Sequence, residues 1–275
     1  MTEGIITREG CTVLLTFDFD AEALWEGAYG VTTPSVLSRG AYGANLGMPR
    51  ILALLERDGI PATFFVPGIT AERYPDLVRR AHGAGPEIGH HGYLHVSPAT
   101  QGEDEERAAL ERGLEVLERI TGERPVGYRS PSWDLSPHSL RLLADHGFLY
   151  DSSLMAWDAP YLVPVGDGRR DLVEVPISWE LDDAPYFLFA FRPAYRVGLA
   201  DPARVLRIWQ AEFEAAHAEG GTVCYTMHPQ LIGRRHRLAL LERLVRHVRQ
   251  HPGARFARAV DVARACRAAG AGGAR

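Results

Sequence analysis

Short runs of β-branched, aromatic and other apolar residues alternate along the chain with longer segments in which apolar residues recur at helical spacing. Six runs have the length and composition of strands, at residues 12–17, 62–66, 87–89, 126–128, 172–175 and 223–226. Five segments have the period of an amphipathic helix, at residues 51–57, 77–82, 108–120, 140–146 and 205–217. Because this alternation is typical of βα units around a parallel sheet, we predict an α/β fold. Six units favour a closed or partly closed (β/α) barrel over an open sheet.

The composition is that of a folded protein without an evident internal boundary. The chain has 275 residues, of which 46% are hydrophobic and 24% are charged. This supplies enough apolar material for a core and lacks the polar bias of a disordered chain. No internal repeat, low-complexity linker or shift of composition divides the sequence, so we predict a single domain over residues 1–275.

One segment departs from the alternation of strands and helices. Residues 23–49 are rich in Gly and aromatic residues and show no clear period. Structureless stretches of more than about 12–15 residues inside compact domains usually cover or bind a ligand. Trp25, Tyr29 and Tyr42 are costly to leave in solvent, so we predict a substrate-covering loop here. Packing of this loop against a neighbouring subunit is the alternative.

The basic residues exclude several kinds of chemistry. All 30 are Arg, and the sequence contains no Lys. Schiff-base enzymes need a Lys amine, P-loop proteins need a Lys for the phosphates, and protein kinases need the Lys that pairs with the nucleotide phosphates. None of these three functions is available to this chain.

Cysteine usage and the start of the sequence bear on location. Cys11, Cys224 and Cys266 lie far apart and form no Cys-x-x-Cys pair, which indicates neither a disulfide framework nor a cysteine zinc site. The first residues lack the basic and apolar stretches of a signal peptide, and no run of about 18 apolar residues occurs. We therefore predict a cytoplasmic protein with no membrane partner. A thiol hydrolase that pairs Cys224 with His228 is disfavoured, because residues four apart on a strand are too distant for a direct hydrogen bond.

Charge is distributed unevenly along the chain. Residues 234–275 hold 11 Arg against two acidic residues, whereas residues 1–233 hold 19 Arg against 33 acidic residues. A basic end can bind nucleic acid, and a non-enzymatic barrel that binds a ligand through this end is an alternative function. However, apolar residues recur there at helical spacing, at Leu238, Leu241, Leu244, Val245 and Val248. Phe256 is the only aromatic residue of the segment that could stack on a base, so we predict an amphipathic helix and no nucleic-acid partner.

Titratable and charged side chains follow four of the predicted strands. They are Asp18 and Asp20 after the first run, His91 and His95 after the third, Arg129 after the fourth and His228 after the last. In (β/α) barrels the catalytic residues lie at the C-terminal ends of the strands. We therefore expect these six side chains to share one site.

Asp18 and Asp20 are separated by one residue, so in an extended strand they project to the same side. Two neighbouring like charges are unfavourable unless a cation neutralises them. A divalent metal would do so, with one carboxylate as a ligand and the other beside a bound water as a base. The alternative is a strand end with two solvated carboxylates.

His91 and His95 have the i, i+4 spacing with which two imidazoles bind one metal from a helical turn. Two His and one Asp form a mixed nitrogen and oxygen set that suits Zn²⁺, with Co²⁺, Fe²⁺, Ni²⁺ and Mn²⁺ as alternatives. The same set also describes a non-haem iron oxygenase, which remains a second enzyme class. His90 points elsewhere and has a supporting or packing role.

Two further motifs complete a familiar pattern: YRSPSW at residues 128–133 and YTMHP at 225–229. Together with DFD at 18–20 and HHGYLH at 90–95, their order and spacing resemble the polysaccharide deacetylase, or NodB-homology, superfamily of carbohydrate esterase family 4. The resemblance covers about residues 12–233. It implies one catalytic domain with the distorted (β/α) barrel of the NodB-homology type, and metal-dependent hydrolysis of an amide, most often an N-acetyl group.

The resemblance also implies roles for the site residues. Asp18 resembles the catalytic base, Asp20, His91 and His95 the metal ligands, Arg129 the residue that orients the base, Trp133 the pocket wall and His228 the general acid. The partner of His228 stays open among Asp151, Asp182 and Asp183. Tyr93 is expected to contribute a backbone N–H to the developing oxyanion. Trp133, Tyr93, Trp25 and Tyr42 are the predicted substrate-binding residues.

Some features differ from the extracellular members of that superfamily. Phe19 separates the two acids, and WELDDAP at residues 179–185 resembles the intracellular branch that includes allantoinase-like and cyclic imide hydrolases. We therefore predict a metal-dependent hydrolase of a non-peptide C–N bond, an N-deacetylase of a small acetamido substrate. Ring opening of a cyclic imide or ureide is the alternative. An aromatic lid also favours a homo-oligomer, with a small-molecule amide as the partner of the site.

Overall fold

A curled, mostly parallel sheet is the centre of the fold. The computed structural model describes residues 10–166, 168–191 and 194–272. Its strands are β1 (Thr12–Asp18), β2 (Thr63–Val66), β3 (Glu87–His90), β4 (Gly127–Tyr128), β5 (Tyr150–Asp151), β6 (Tyr161–Val163), β7 (Leu172–Glu174), β8 (Thr222–Met227) and β9 (Arg255–Ala257). Their order is β6-β7-β5-β4-β3-β2-β1-β8, and β9 pairs with the start of β1 below β2. Only β6 is antiparallel to its neighbour among these paired strands. The predicted α/β fold and distorted barrel are confirmed.

Helices connect the strands and cover the outside of the sheet. They are α1 (Pro34–Tyr42), α2 (Met48–Asp58), α3 (Gly68–Arg73), α4 (Pro75–Gly83), α5 (Glu103–Thr121), α6 (Ser139–Asp145), α7 (Ala184–Phe187), α8 (Pro202–Glu219), α9 (Pro229–Ile232), α10 (Arg235–Arg249) and α11 (Ala259–Gly272). None of the described helices is long and apolar enough to cross a membrane. α10 is the helix that the sequence predicts for the basic segment, and its apolar face packs on α8.

The alternation of side chains along β1 separates two cores. Three residues of one face pack among the helices outside the sheet: Val13, Leu15 and Phe17. On the other face Leu14 packs with Phe65 and Tyr150 inside the barrel. Because successive strand residues point to opposite faces, Thr16 and Asp18 share the interior face with Leu14. The barrel interior is therefore apolar at mid-strand and polar toward the C-terminal ends of the strands.

α11 fills the N-terminal end of the barrel. Val262 and Cys266 of this helix belong to the interior cluster. The Arg267 guanidinium donates to the backbone oxygens of Leu149 and Asp171, which precede β5 and β7. A ligand must therefore reach the interior from the opposite end, where the strands terminate.

The prediction of a structureless loop over residues 23–49 is wrong. A π-helical turn (Leu24–Ala28), α1 and a second π-helical turn (Gly43–Gly47) run into α2. The glycines that resemble loop signals permit close packing instead. A β-carbon at Gly40 would lie 2.5 Å from the backbone of Ala21, and one at Gly47 would lie 2.1 Å from the carbonyl oxygen of Pro229. Helical packing thus requires Gly where local sequence suggests a loop.

Candidate active site

The C-terminal ends of four strands bring the predicted side chains together. Asp18 ends β1, Arg129 follows β4 directly, and His228 follows β8 directly. Asp20 lies two residues beyond β1, and the loop after β3 carries the two predicted His ligands. All six side chains are buried: Asp18, Asp20, His91, His95, Arg129 and His228. Charged groups that are buried this close together require oppositely charged partners or a metal ion.

Three of these residues have the arrangement of a metal site. Oδ1 of Asp20 lies 3.5 Å from Nε2 of His91 and 3.6 Å from Nε2 of His95. Ligands bound tetrahedrally at about 2.0–2.2 Å lie roughly 3.3–3.6 Å apart, which matches these separations. The same Oδ1 of Asp20 is buried and has no hydrogen-bond partner. Geometry, burial and donor chemistry therefore fit a divalent metal held by Asp20, His91 and His95.

The imidazoles are prepared to act as neutral ligands. Nδ1 of His91 donates to the backbone oxygen of Arg129 over 2.7 Å, which directs Nε2 toward Asp20. Burial lowers the pKa of His91 to about 4 and the pKa of His95 well below its ordinary value. Both rings are therefore uncharged at neutral pH, and neutral imidazole is the form that binds metals.

The two histidines reach the metal site from a loop, so the expected helical turn is not present. Residues 91–97 have no helical structure, and His95 has a φ of 59°. The loop nevertheless brings the ring centroids of His91 and His95 to 5.0 Å. The i, i+4 spacing thus brings the two rings together beside Asp20, but a loop and not the expected helical turn presents them.

Backbone strain is concentrated around this site. The non-glycine residues with positive φ in the described chain are Ala21, His95, Ser132 and Trp133. Ala21 follows Asp20, His95 belongs to the same candidate metal site, and Ser132 and Trp133 line the adjacent cavity. Left-handed non-glycine residues cost about 1–3 kcal/mol each and persist where the surrounding structure enforces them. The fold thus holds the site in a conformation that the local chain disfavours.

Arg129 fixes the side chain of Asp18. Its Nη1 donates to Oδ1 of Asp18 over 2.9 Å and to Oγ1 of Thr16 over 2.8 Å. Its Nε and Nη2 donate to the backbone oxygen and the Oγ of Ser152. Burial alone would raise the pKa of Asp18, but the Arg129 charge, with smaller contributions from His91 and His228, holds that pKa below its ordinary value. Asp18 is therefore ionised at neutral pH.

His228 is held by two consecutive carboxylates. Its Nδ1 donates to Oδ1 of Asp183 over 2.7 Å, and Oδ1 of Asp182 lies 3.5 Å from the same nitrogen. Burial opposes a charged ring, but Asp182 and Asp183 outweigh it and raise the pKa of His228 well above its ordinary value. His228 is therefore protonated at neutral pH. Asp151, the third candidate partner, lies elsewhere and accepts a hydrogen bond from Ser153.

A cavity of about 460 Å³ opens above these groups. Asp18, His91, His95 and His228 line it together with residues that follow β1, β4 and β7. Trp133 and Trp179 form one wall, with ring centroids 4.2 Å apart. Tyr29 and Arg196 also line the cavity, and the Arg196 guanidinium lies 5.5 Å from the centre of the Tyr29 ring. The cavity thus has a polar floor and aromatic walls, as ligand pockets do.

Comparison with known families agrees with this arrangement. The family model described as polysaccharide deacetylase matches residues 7–150, more than half of the chain. The chain belongs to the polysaccharide deacetylase family. The resemblance of its motifs to that family is confirmed, and the chain is a hydrolase of the deacetylase type.

Relatives of this polysaccharide deacetylase cover nearly the whole chain. The peptidoglycan deacetylase of Helicobacter pylori is 33% identical over 264 residues, which are 87% of this chain and 90% of that protein. The crystal structure of a protein described as a polysaccharide deacetylase from Mycobacterium smegmatis is 41% identical, with a TM-score of 0.91 over 96% of this chain and 92% of that one. The crystal structure of Puue allantoinase is 26% identical, with a TM-score of 0.84 over 94% and 90% of the two chains.

Three predicted substrate-binding side chains of this polysaccharide deacetylase lie outside the cavity. Trp25 is buried beneath Tyr29, with the Arg39 guanidinium over its ring. The Tyr42 hydroxyl accepts a hydrogen bond from Arg50 over 2.7 Å. The Tyr93 hydroxyl donates to Glu72 outside the cavity, and the contribution of its backbone N–H to an oxyanion stays a prediction. These aromatic residues support the packing of the surrounding helices, whereas Trp133 lines the cavity as predicted.

Several residues of the site have no signal in the sequence. Nε2 of Gln230 lies 3.5 Å from Oδ2 of Asp20, and Ser152 and Thr16 bind the Arg129 guanidinium. Arg196 enters the cavity wall from a segment without a recognisable motif. Trp179 stands in the WELDDAP stretch that marks the allantoinase-like branch, which is the one signal that could have identified it.

Proposed function

We propose that this polysaccharide deacetylase is a metal-dependent N-deacetylase of a small acetamido compound. The observation that carries the proposal is the convergence of Asp20, His91 and His95 with Asp18 and His228 at the base of one cavity. Three of these residues have the donor atoms of a metal site. The other two have the opposite protonation states that acid–base catalysis requires.

Asp20, His91 and His95 would hold the metal, for which Zn²⁺ is the first choice and Co²⁺, Fe²⁺, Ni²⁺ and Mn²⁺ are alternatives. When bound, such an ion acts as a Lewis acid and lowers the pKa of water toward neutrality. The buried, partnerless Oδ1 of Asp20 supports this assignment. Without a cation, two carboxylates would be buried within two residues of one another.

Asp18 is the general base in this proposal. Its Oδ1 is occupied by Arg129, whereas its Oδ2 lies 3.9 Å from Nε2 of His91 and faces the metal ligands. The free Oδ2 is therefore placed to take a proton from the water that attacks the amide carbon. Because Arg129 keeps Asp18 ionised, the base is ready at neutral pH.

His228 is the general acid on the other side of the site. Its Nε2 lies 3.7 Å from Oδ2 of Asp20, and its Nδ1 is held by Asp183. An amine is a poor leaving group unless its nitrogen gains a proton. The carboxylates of Asp182 and Asp183 keep His228 protonated, so its Nε2–H can supply that proton.

The size and the lining of the cavity favour a small substrate. Its volume of about 460 Å³ falls within the range of about 300–1,000 Å³ typical of small-molecule sites. Trp133 and Trp179 offer a flat apolar wall for a sugar ring or another planar group. Arg196 adds a cation that could bind an anionic part of the substrate. These features favour one compact molecule over a long polymer.

Ring opening of a cyclic imide or ureide is the second candidate. It is favoured by the similarity to Puue allantoinase over nearly the whole of both chains. The same base, acid and metal ligands would serve, because the bond broken is again an amide C–N bond. The two reactions differ in outcome, since ring opening releases no acetate.

We also propose the domain organisation, oligomeric state, location and partners that the sequence predicts. One catalytic domain over residues 1–275, a homo-oligomer, a cytoplasmic location and the lack of a nucleic-acid partner all stay predictions. Light scattering during size-exclusion chromatography would test self-association, and a mass equal to one chain would overturn that part of the proposal.

The deciding experiment gives the zinc-loaded protein N-acetylated amino sugars, small N-acetyl amides, polymeric peptidoglycan, and cyclic imides and ureides. It measures both acetate release and ring opening. The proposal expects acetate from the small compounds. His91→Ala should lose turnover together with the metal bound by Asp20, His91 and His95, whereas His82→Ala, a histidine outside the site, should retain both. Full activity in His91→Ala would overturn the metal mechanism. Acetate from the polymer alone would overturn the small substrate, and ring opening without acetate would establish the second candidate.

A further inference from the structure

A second group of metal-binding side chains lies far from the cavity. Glu214 and His217 belong to α8, His247 belongs to α10, and His251 follows α10 by two residues. α8 leads into the start of β8, and α10 leads into the start of β9. The group therefore lies at the N-terminal end of the sheet, whereas the active site lies at the C-terminal end.

The distances within this group are those of potential ligands. A carboxylate oxygen of Glu214 and one ring nitrogen from each of His247 and His251 all lie within 4.8 Å of one another. Oε1 of Glu214 is 3.0 Å from Nε2 of His247. The ring centroids of His247 and His251 are 4.7 Å apart. Their i, i+4 spacing at the end of α10 places both rings on the side that faces α8.

One ring nitrogen of His251 is held by a hydrogen bond, and Nε2 of His247 lacks a hydrogen-bond partner. Nδ1 of His251 donates to the backbone oxygen of His247 over 2.9 Å, which leaves its Nε2 as a lone-pair donor. Nε2 of His247 is buried and has no partner with hydrogen-bond geometry, although Glu214 lies beside it. Metal-binding histidines typically donate a hydrogen bond from the other ring nitrogen to a backbone carbonyl, because this bond fixes the tautomer and the ring orientation.

The neighbouring residues complete a rigid setting. His217 donates from Nε2 to the backbone oxygen of Pro252 over 2.8 Å, and its ring packs on His251 with centroids 5.3 Å apart. Phe213 packs against the rings of His247 and His251 from below, at 5.7 Å and 5.0 Å. Packing on Phe213 explains the ring positions. Glu214 adds a carboxylate oxygen at ion-pair distance from Nε2 of His247, although this contact lacks hydrogen-bond geometry.

We propose that Glu214, His247 and His251 form a second divalent-metal site that joins α8 to the end of α10. Two imidazoles and one carboxylate suit Zn²⁺ and similar first-row ions, with water completing the coordination. This site has a structural role, because it is remote from Asp20 and lies where two helices meet. The proposal does not depend on the proposed function of the active site.

Zinc stoichiometry of the whole protein tests this site. Metal-depleted protein is titrated with Zn²⁺ by calorimetry, and bound zinc is counted after desalting. We expect two equivalents in the wild type and one in the double variant His247→Gln/His251→Gln. We also expect one in His91→Ala, which removes the other site. His236→Ala, an exposed histidine on the same α10, should retain two equivalents.

Thermal unfolding gives a second readout that does not use activity. Zn²⁺ should raise the Tm of His91→Ala, because binding to the folded state stabilises it, and that rise should vanish when His247 and His251 are also replaced. Glu214→Gln, a milder change at an exposed position, should weaken this zinc binding at least tenfold. The proposal is overturned if the double variant binds as many equivalents as the wild type. It is equally overturned if His91→Ala binds no zinc.

Discussion

Nη1 of Arg129 donates to Oδ1 of Asp18 over 2.9 Å, and both side chains are almost completely removed from solvent. A buried ion pair of this kind is strongly destabilised when one partner is removed, because the other charge stays buried without compensation. Arg129 also donates to Thr16 and to Ser152, so a single guanidinium connects β1, β4 and the residues after β5. The position of Arg129 therefore controls both Asp18, the proposed general base, and the polar end of the barrel interior.

Replacement of this guanidinium should therefore affect stability and activity together. Arg129→Gln should lower the free energy of unfolding by about 3–5 kcal/mol, as expected for a broken buried pair. It should also reduce kcat/KM at least about 100-fold, because a misplaced base loses most of its general-base contribution. Denaturant unfolding and steady-state kinetics measure the two effects. Arg57→Gln, which breaks an exposed ion pair with Asp58, should change neither measurably. A stable, fully active Arg129→Gln would show that the pair is dispensable.

Gly27 packs against the loop that carries His95, a proposed metal ligand, so its replacement should weaken metal binding at that site. A β-carbon at residue 27 would lie 1.9 Å from the backbone oxygen of Leu94 and 2.6 Å from that of His95. Gly27→Ala must therefore displace the loop, and we expect zinc affinity to fall at least about tenfold with a parallel loss of turnover. Gly83→Ala is the matched control, because nothing lies within 4 Å of its added carbon. Unchanged zinc affinity in Gly27→Ala would mean that the loop adapts freely.

The local pattern predicts the strands whose ends carry the site residues, but it does not predict β5, β6 or β9. Parallel strands end at one edge, so Asp18, His91 and Arg129 are brought together by topology once the strands are identified. The choice among the candidate partners of His228 needs the backbone direction after β7, because Asp182 and Asp183 are consecutive and point differently. Only the folded chain shows that Asp183 forms the 2.7 Å hydrogen bond.

Residues 23–49 show where pattern was insufficient. Gly40 and Gly47 are required there for contacts with distant backbone, whereas Gly30 adopts the positive φ of a turn. A single sequence presents both uses of glycine in the same way. Of the aromatic residues of this segment, Tyr29 lines the cavity, whereas Trp25 is buried by helices whose packing no local period reveals.

Asp182 and Asp183 should have unequal effects on His228, the proposed general acid. Asp183 accepts from Nδ1 of His228 and from its backbone N–H, whereas Asp182 lies farther from the ring. Asp183→Asn should lower kcat at least about 100-fold, within the range of general-acid catalysis, and Asp182→Asn should have a smaller effect. Loss of a carboxylate also lowers the pKa of His228, so the basic limb of the kcat profile should move to lower pH. Equal losses of kcat in the two variants would contradict this assignment.

Asp151 and Glu174 form a buried acid pair beside the barrel interior. Oε1 of Glu174 accepts from the backbone N–H groups of Ser153 and Leu154, each over 2.9 Å. The remaining oxygens, Oδ2 of Asp151 and Oε2 of Glu174, are buried without another partner. Two neighbouring carboxyl groups in this setting favour sharing one proton. Burial raises the pKa of Asp151 to about 6 and the pKa of Glu174 well above its ordinary value.

The free energy of unfolding of Asp151→Asn, relative to that of the wild type, should therefore increase as pH rises. An acid whose pKa is raised by folding stabilises the folded state fully below its unfolded pKa of about 4, and this contribution is lost as pH rises through about 6. The side-chain amide introduced by this substitution can still accept from Ser153 and can donate to Glu174. The unfolding free energy of the variant relative to wild type should thus increase by about 1–3 kcal/mol between pH 4 and pH 7. Denaturant unfolding at both pH values measures it, with Asp104→Asn on the exposed face of α5 as the control for lost charge. If the difference in unfolding free energy between the variant and the wild type does not depend on pH, both carboxyl groups ionise without penalty. Asp151 and Glu174 then do not share a proton.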